Sequence, residues 1–231
     1  RLYNMGLNDV LGLSIRGEGK PLIPYPGDKN WSGISLPWMA FGYGIKLTPL
    51  QILSFYNGIA NGGEIVKPRF IYKIKNPGSS SIKTYEKEIL NPSVCSDTTL
   101  SKVQKMMFNV IDKKWGTANK IKSNQLKMAG KTGTCQIDYT SDETKYVSSF
   151  VGYFPFEKPE YSCIVVINKP DKTIGYYILA IIEIHSTQYI HCTHCNNILS
   201  MHCMRPLPRH PLWRLSRQIT KRFPFFPPPP P

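Results

Sequence analysis

Apolar positions along the first 177 residues recur with two periods, and they predict helices and strands in turn. In "LTPLQILSFYNGIANGG" Thr48 stands as N-cap, Pro49 takes the first helical position, and Gln51 completes a capping box. Leu50, Leu53, Ile59 and Ala60, with Phe55 and Tyr56 beside them, form an apolar stripe, and Gly62-Gly63 ends the helix. A second helix starts at Ser96 or Asp97, places Leu100, Val103, Met107 and Val110 on one face, and closes near Gly116. Met106 and Met107 read as core filler.

Alternation with period two marks "VKPRFIYKI" as a strand, with "KNPGSSSIKTYEK" a turn-rich connection into a second one. Three more strands follow: "KMAGKTGTCQI", "YVSSFVGYFPF" and "YSCIVVINK". The short "EKPE" between the last two predicts a hairpin and antiparallel pairing. Ahead of the first helix, "RGEGKPLIPYPGDKNWSG" has too many breakers for a helix interior and reads as an ordered surface loop. The expected fold is α/β, an antiparallel sheet flanked by helices. After Tyr177 amphipathic order is lost: all five histidines fall between His185 and His210, and the chain ends "KRFPFFPPPPP". One domain over 1–177 and a tail over 178–231, disordered or translated out of frame, is the expected organisation.

A net charge of +14 favours anionic partners only where basic residues cluster, and here they are scattered. No basic helix or aromatic-basic RNA motif is present, so nucleic acid is not expected as a partner. The chain opens at Arg1 without a signal peptide and has no apolar run near the roughly 20 residues of a membrane helix, so it reads as an internal piece of something longer, with any anchor upstream. Cys95, Cys135 and Cys163 show no pairing pattern, which leaves the redox compartment open.

The stretch "MAGKTGTCQ" carries the candidate chemistry. Strand alternation places Thr132 and Thr134 on one side and Lys131 on the other. They converge on one ligand only along a free strand edge, so an edge strand beside a cleft is expected. Gly133, without a Cβ, lets another backbone approach. Two hydroxyls, an ammonium and edge N–H groups suit a peptide's terminal carboxylate and a scissile carbonyl. Taken as four residues alone, the run is better described as a surface strand with an incidental lysine, because short motifs recur by chance.

With "AGKTGT" preceded by "GYGIKLTPLQILSFYNGIANGG" and followed by "SFVGYFPFEKPEYSCIVVINKP", the chain resembles the class B penicillin-binding proteins, especially the division-type transpeptidases. The resemblance covers about 1–177. The Gly-Thr-Ala segment at 116–118, "RLYNMGLNDVLGL" and "NWSGISLPWMAFGYG" strengthen it. It implies the penicillin-binding transpeptidase and serine β-lactamase-like fold, here incomplete at both ends. It also implies a D,D-transpeptidase that cross-links peptidoglycan stem peptides through an acyl-serine, using Ser-x-x-Lys, Ser-x-Asn and Lys-Thr-Gly motifs. Carried over by resemblance, Lys131 contacts the second motif, Thr132 and Thr134 bind the substrate or β-lactam carboxylate, and the Thr134 N–H serves the oxyanion hole. Further implications are stem peptides and β-lactams as ligands, membrane-embedded glycosyltransferase and divisome partners, a periplasm-facing membrane location, and no cofactor.

The first two motifs belong ahead of "RLYNMG", so no nucleophile is expected in this chain and it is expected to be inactive alone. Ser80-Ser81-Ile82-Lys83 fits Ser-x-x-Lys, but a Pro-Gly-Ser turn does not fix a nucleophile against its base. In the tail, His191, Cys192, His194, Cys195, His202 and Cys203 raise metal binding as an alternative, though adjacent His-Cys pairs are poorly placed for a closed tetrahedral site and no metal is expected. Lacking the family's final helix, the sheet is expected to leave Phe150, Val165 and Ile167 bare, with low solubility. A serine β-lactamase or a β-lactam-sensing receptor domain is the alternative for 1–177.

Overall fold

A computed structural model describes residues 1–29, 31–76, 81–137 and 145–169, together with the backbone of three strands at 182–184, 190–192 and 198–204. The opening segment is irregular and tied by specific bonds. Glu18 accepts from the N–H groups of Leu11 and Leu13, Tyr3 Oη donates to the Ile23 carbonyl at 2.8 Å, and Leu22 bridges Lys46. It also holds a short helix that the breaker-rich pattern hides, α1 (Ser35–Ala40), with no buried residue. Pro37 falls in its first turn, where the missing N–H has no helical partner to lose.

Helix α2 (Pro49–Ala60) has the expected capping box. Gln51 N–H donates to Thr48 Oγ1 at 3.2 Å and Thr48 N–H to Gln51 Oε1 at 2.8 Å. Gln51 Nε2 donates onward to the Gly19 carbonyl at 3.0 Å, joining the helix start to the opening segment. At the other end Gly62 and Gly63 have φ of 71° and 93°, and Gly63 N–H closes on the Gly58 carbonyl at 2.8 Å.

The "VKPRFIYKI" strand is broken in two. Strand β1 (Ile65–Val66) pairs with β4 (Ile89–Asn91), and β2 (Lys73–Lys75) pairs with β3 (Ser81–Thr84). Pro68 lies in the gap, and a residue without an N–H cannot continue a ladder. Helix α3 (Asp97–Asp112) begins where expected but stops four residues short of Gly116, because Lys113 is extended at ψ 142°. Met107 is buried, whereas Met106 is 59% exposed and is not core.

Strands β5 (Ala129–Ile137), β6 (Lys145–Phe154) and β7 (Tyr161–Asn168) form an antiparallel meander, with the backbone of 198–204 pairing on the far side of β7. Strand β5 is the sheet's other edge. Helix α2 packs on one face, where Leu53 meets Val151 and Ile164. Asn57 Nδ2 donates to Ser162 Oγ at 2.9 Å within that buried contact, fixing the helix to β7. Helix α3 crosses the start of β5. Its Leu100 and Met107 join Ala129 and Tyr153 on the α2 face, and its Ile111 joins Ala118, Met128, Phe150 and Phe154 on the other. The second face is therefore not bare, correcting the sequence-based expectation: Phe150, Val165 and Ile167 are all buried.

Two buried hydroxyls in this core, Ser54 Oγ and Tyr153 Oη, have no hydrogen-bond partner among the described residues, and Tyr153 is 1% exposed. Burial pushes its phenol well above the ordinary range. Its folded pKa lies above the unfolded value, so the associated stability is intact below about pH 10 and is lost as pH rises further. Tyr153→Phe removes both penalties. It should raise stability at pH 7 by about 1 kcal/mol and delay alkaline unfolding, read by thermal melts across pH; a destabilised variant would mean the hydroxyl is satisfied.

Candidate functional site

The Lys-Thr-Gly-Thr run occupies the middle of β5, in unbroken register with β6: Lys131 faces Val151, Thr132 faces Phe150, Gly133 faces Ser149 and Thr134 faces Ser148. Alternation then puts Lys131 on the α2-covered face with Val151, and Thr132 and Thr134 on the opposite one. The expected division of side chains is present, and so is the expected edge position. An edge strand leaves alternate main-chain groups without a sheet partner, ready for an extended ligand.

The four residues differ in how they are held. Lys131 and Thr134 are exposed, while Thr132 is half-buried. Lys131 Nζ donates to the Thr132 carbonyl at 2.5 Å, curling over the strand. The Thr132 hydroxyl lies 2.9 Å from Thr117 Oγ1. Gly133 sits against β6 so closely that a Cβ would come within 2.7 Å of Ser149 Oγ, and Ser149 Oγ donates to the Gly133 carbonyl at 3.5 Å. The glycine thus allows the close strand approach that its position suggests.

Thr117 is the contributor that sequence reasoning passed over. It lies in the Gly-Thr-Ala segment, which served only as a mark of resemblance, and its pairing with Thr132 spans fifteen residues. The turn bearing it is fixed to α3. Gly116 N–H donates to the Lys113 carbonyl at 2.9 Å, Ala118 N–H to Val110 at 3.0 Å, and Asn119 Nδ2 to Ile111 at 2.9 Å. Nearby, Lys122 pairs with Asp112 at 2.8 Å, and that hydrogen bond holds the Asp112 carboxyl below its usual range.

Most of the other candidates fall outside the described residues. Ser80 lies outside the described residues, and Lys83, in β3, places its Nζ 4.6 Å from the Tyr85 ring centre. The side chains of the tail's His-Cys series also lie outside the described residues. Among the described residues, no group of three or more His, Cys, Asp or Glu side chains is placed to hold a metal, and no helix is long and apolar enough to cross a membrane. Among the described residues, Cys95 and Cys135 are free thiols.

The family described as the penicillin binding protein transpeptidase domain matches residues 3–182. Stage V sporulation protein D of Bacillus subtilis is 24% identical over 177 residues, covering 76% of this chain and 27% of that protein. Peptidoglycan D,D-transpeptidase FtsI of Buchnera aphidicola is 29% identical over 180 residues, covering 76% and 29%. The chain therefore spans less than a third of the length of these curated relatives. Among solved structures, penicillin binding protein 3 of Mycobacterium tuberculosis, complexed with ampicillin, superposes with a TM-score of 0.63 at 28% identity, over 73% of this chain and 38% of that one. With the edge strand and the extended match in agreement, the chain belongs to the penicillin-binding protein transpeptidase family and has that family's fold.

Proposed function

We propose that this chain forms the substrate-holding wall of a D,D-transpeptidase that cross-links peptidoglycan stem peptides by acyl transfer through a serine. The observation that carries the reading is the placement of Lys131, Thr132, Gly133 and Thr134 on a free sheet edge, with the Thr132 hydroxyl pinned by Thr117. Two hydroxyl donors and an ammonium match a terminal carboxylate, of a stem peptide or a β-lactam. The Thr134 N–H polarises the scissile carbonyl as charge develops on its oxygen. Lys131 adds a positive field and contacts the Ser-x-Asn motif. Acyl chemistry of this kind runs on serine, lysine and backbone donors and needs no cofactor.

The nucleophile comes from outside this chain. Within the 231 residues the one Ser-x-x-Lys spacing is Ser80 to Lys83, and Ser-x-Asn does not occur. The whole enzyme works at the outer face of the cytoplasmic membrane, beside the glycosyltransferase and division proteins that deliver nascent glycan. Acylation by a fluorescent penicillin tests the reading. A form preceded by Ser-x-x-Lys and Ser-x-Asn should label and the 231-residue chain should not. Labelling of the chain itself, abolished by Ser80→Ala, would move the site to the β2–β3 connection.

A further inference from the structure

The turn that pins Thr132 also displays a tryptophan. Trp115 is 76% exposed, although tryptophan is among the side chains that gain most from burial. Its backbone is held firmly: Lys113 N–H donates to Asn109 at 3.1 Å, Gly116 N–H to Lys113 at 2.9 Å and Asn119 N–H to Gly116 at 3.0 Å. A Cβ on Gly116 would come within 2.7 Å of the Asn109 carbonyl, so the turn is packed directly on the end of α3. The indole is thus presented by a preorganised turn, and binding there does not first have to order a loop.

Its surroundings narrow the ligand. Lys113 and Lys114 precede it, both exposed, and among the described residues neither makes an ion pair; Asp112 is taken by Lys122. Two residues on, Thr117 touches Thr132, which puts the Trp115 backbone within about 8 Å of Thr117. We infer that Trp115, with Lys113 and Lys114, is a saccharide subsite at the rim of the carboxylate-holding strand, taking an acidic, peptide-bearing glycan. An indole face is electron-rich and attracts the polarised C–H face of a pyranose, while ammonium groups take carboxylates on the sugar or at the head of its peptide. A peptide of about five residues spans at most about 17 Å, so one molecule can seat its sugar on Trp115 and its terminal carboxylate on Thr132 and Thr134. The inference rests on the proposed transpeptidase reading and adds where the glycan goes.

The test titrates the 231-residue chain separately with peptide-free peptidoglycan glycan strands and with an acyl-D-alanyl-D-alanine peptide. Trp115→Ala should weaken glycan binding by about tenfold or more and leave peptide binding unchanged. Trp115→Phe should retain most of the affinity, and Trp38→Ala, at another exposed tryptophan, should change nothing. Thermal melts that superimpose exclude unfolding as the cause. Glycan binding indifferent to Trp115→Ala, or absent while the peptide binds, overturns the subsite alone. Loss of both ligands from the unmodified chain overturns the transpeptidase reading as well. Equal, Trp115-dependent binding of a thymidine oligonucleotide would make this a nucleic-acid surface and overturn the saccharide assignment.

Discussion

Replacing Thr132 and Thr134 together by valine should cut acylation by penicillin about a thousandfold in a form of the protein that carries the Ser-x-x-Lys and Ser-x-Asn motifs ahead of this chain. On the proposed reading each hydroxyl donates to a carboxylate, and a hydrogen bond to a charged group contributes about 2 kcal/mol; two of them give roughly three powers of ten. Valine keeps the volume and the β-branched shape that suit a strand, so β5 and its register should survive. The loss should therefore appear in the second-order acylation constant while the melting temperature stays within a few degrees. Near-normal acylation by the double variant would remove the carboxylate role from this strand.

The second large effect is on the fold. A side chain at Gly152 has nowhere to go: its Cβ would sit 2.5 Å from the Ala129 carbonyl oxygen and 3.0 Å from Phe150 Cζ. The first obstacle is backbone of the strand that carries the site, paired residue for residue with β6, and it moves only if the ladder parts. Gly152→Val should cost about 3 kcal/mol or more, lowering the melting temperature by roughly 10 °C for a domain of this size. Gly133→Ala is the contrast, because its obstacle is the Ser149 hydroxyl, which can rotate aside. Gly133→Ala should cost less than about 1 kcal/mol. Equal melting temperatures for the two variants would show that the β5–β6 spacing is looser than described.

The parts legible in the sequence are those whose causes are local. Thr48, Pro49 and Gln51 specify the start of α2 within four residues, and Gly62-Gly63 specify its end, so cap and stop both appear where the pattern places them. The β6–β7 hairpin is similarly marked by alternation and a short connection. The edge position of β5 was readable for a chemical reason, since residues on opposite sides of a strand share a ligand only at an edge.

What stayed hidden depends on contacts distant in sequence or on backbone detail that propensity does not encode. Helix α3 stops at Asp112 because the chain must turn there to seat Gly116 on the carbonyls of Asn109 and Val110. Met106 and Met107 are neighbours of one residue type, and only the packing of α3 on β5 determines that Met107 goes inside. Phe150 looked bare without its helical cover, yet Ile111, Ala118 and Met128 reach it from segments beyond its own hairpin. The partnership of Thr117 with Thr132 has the same origin: neither residue signals the other until α3 and β5 are packed.

Recognition of a carboxylate by the edge strand is read from backbone amide chemical shifts. The 231-residue chain would be titrated with an acyl-D-alanyl-D-alanine peptide as the free acid and, separately, as its C-terminal amide. The free acid should move the backbone resonances from Lys131 to Cys135 in a saturable way, and the amide should leave them in place. Equal responses to acid and amide, or shifts confined to other strands, would contradict it.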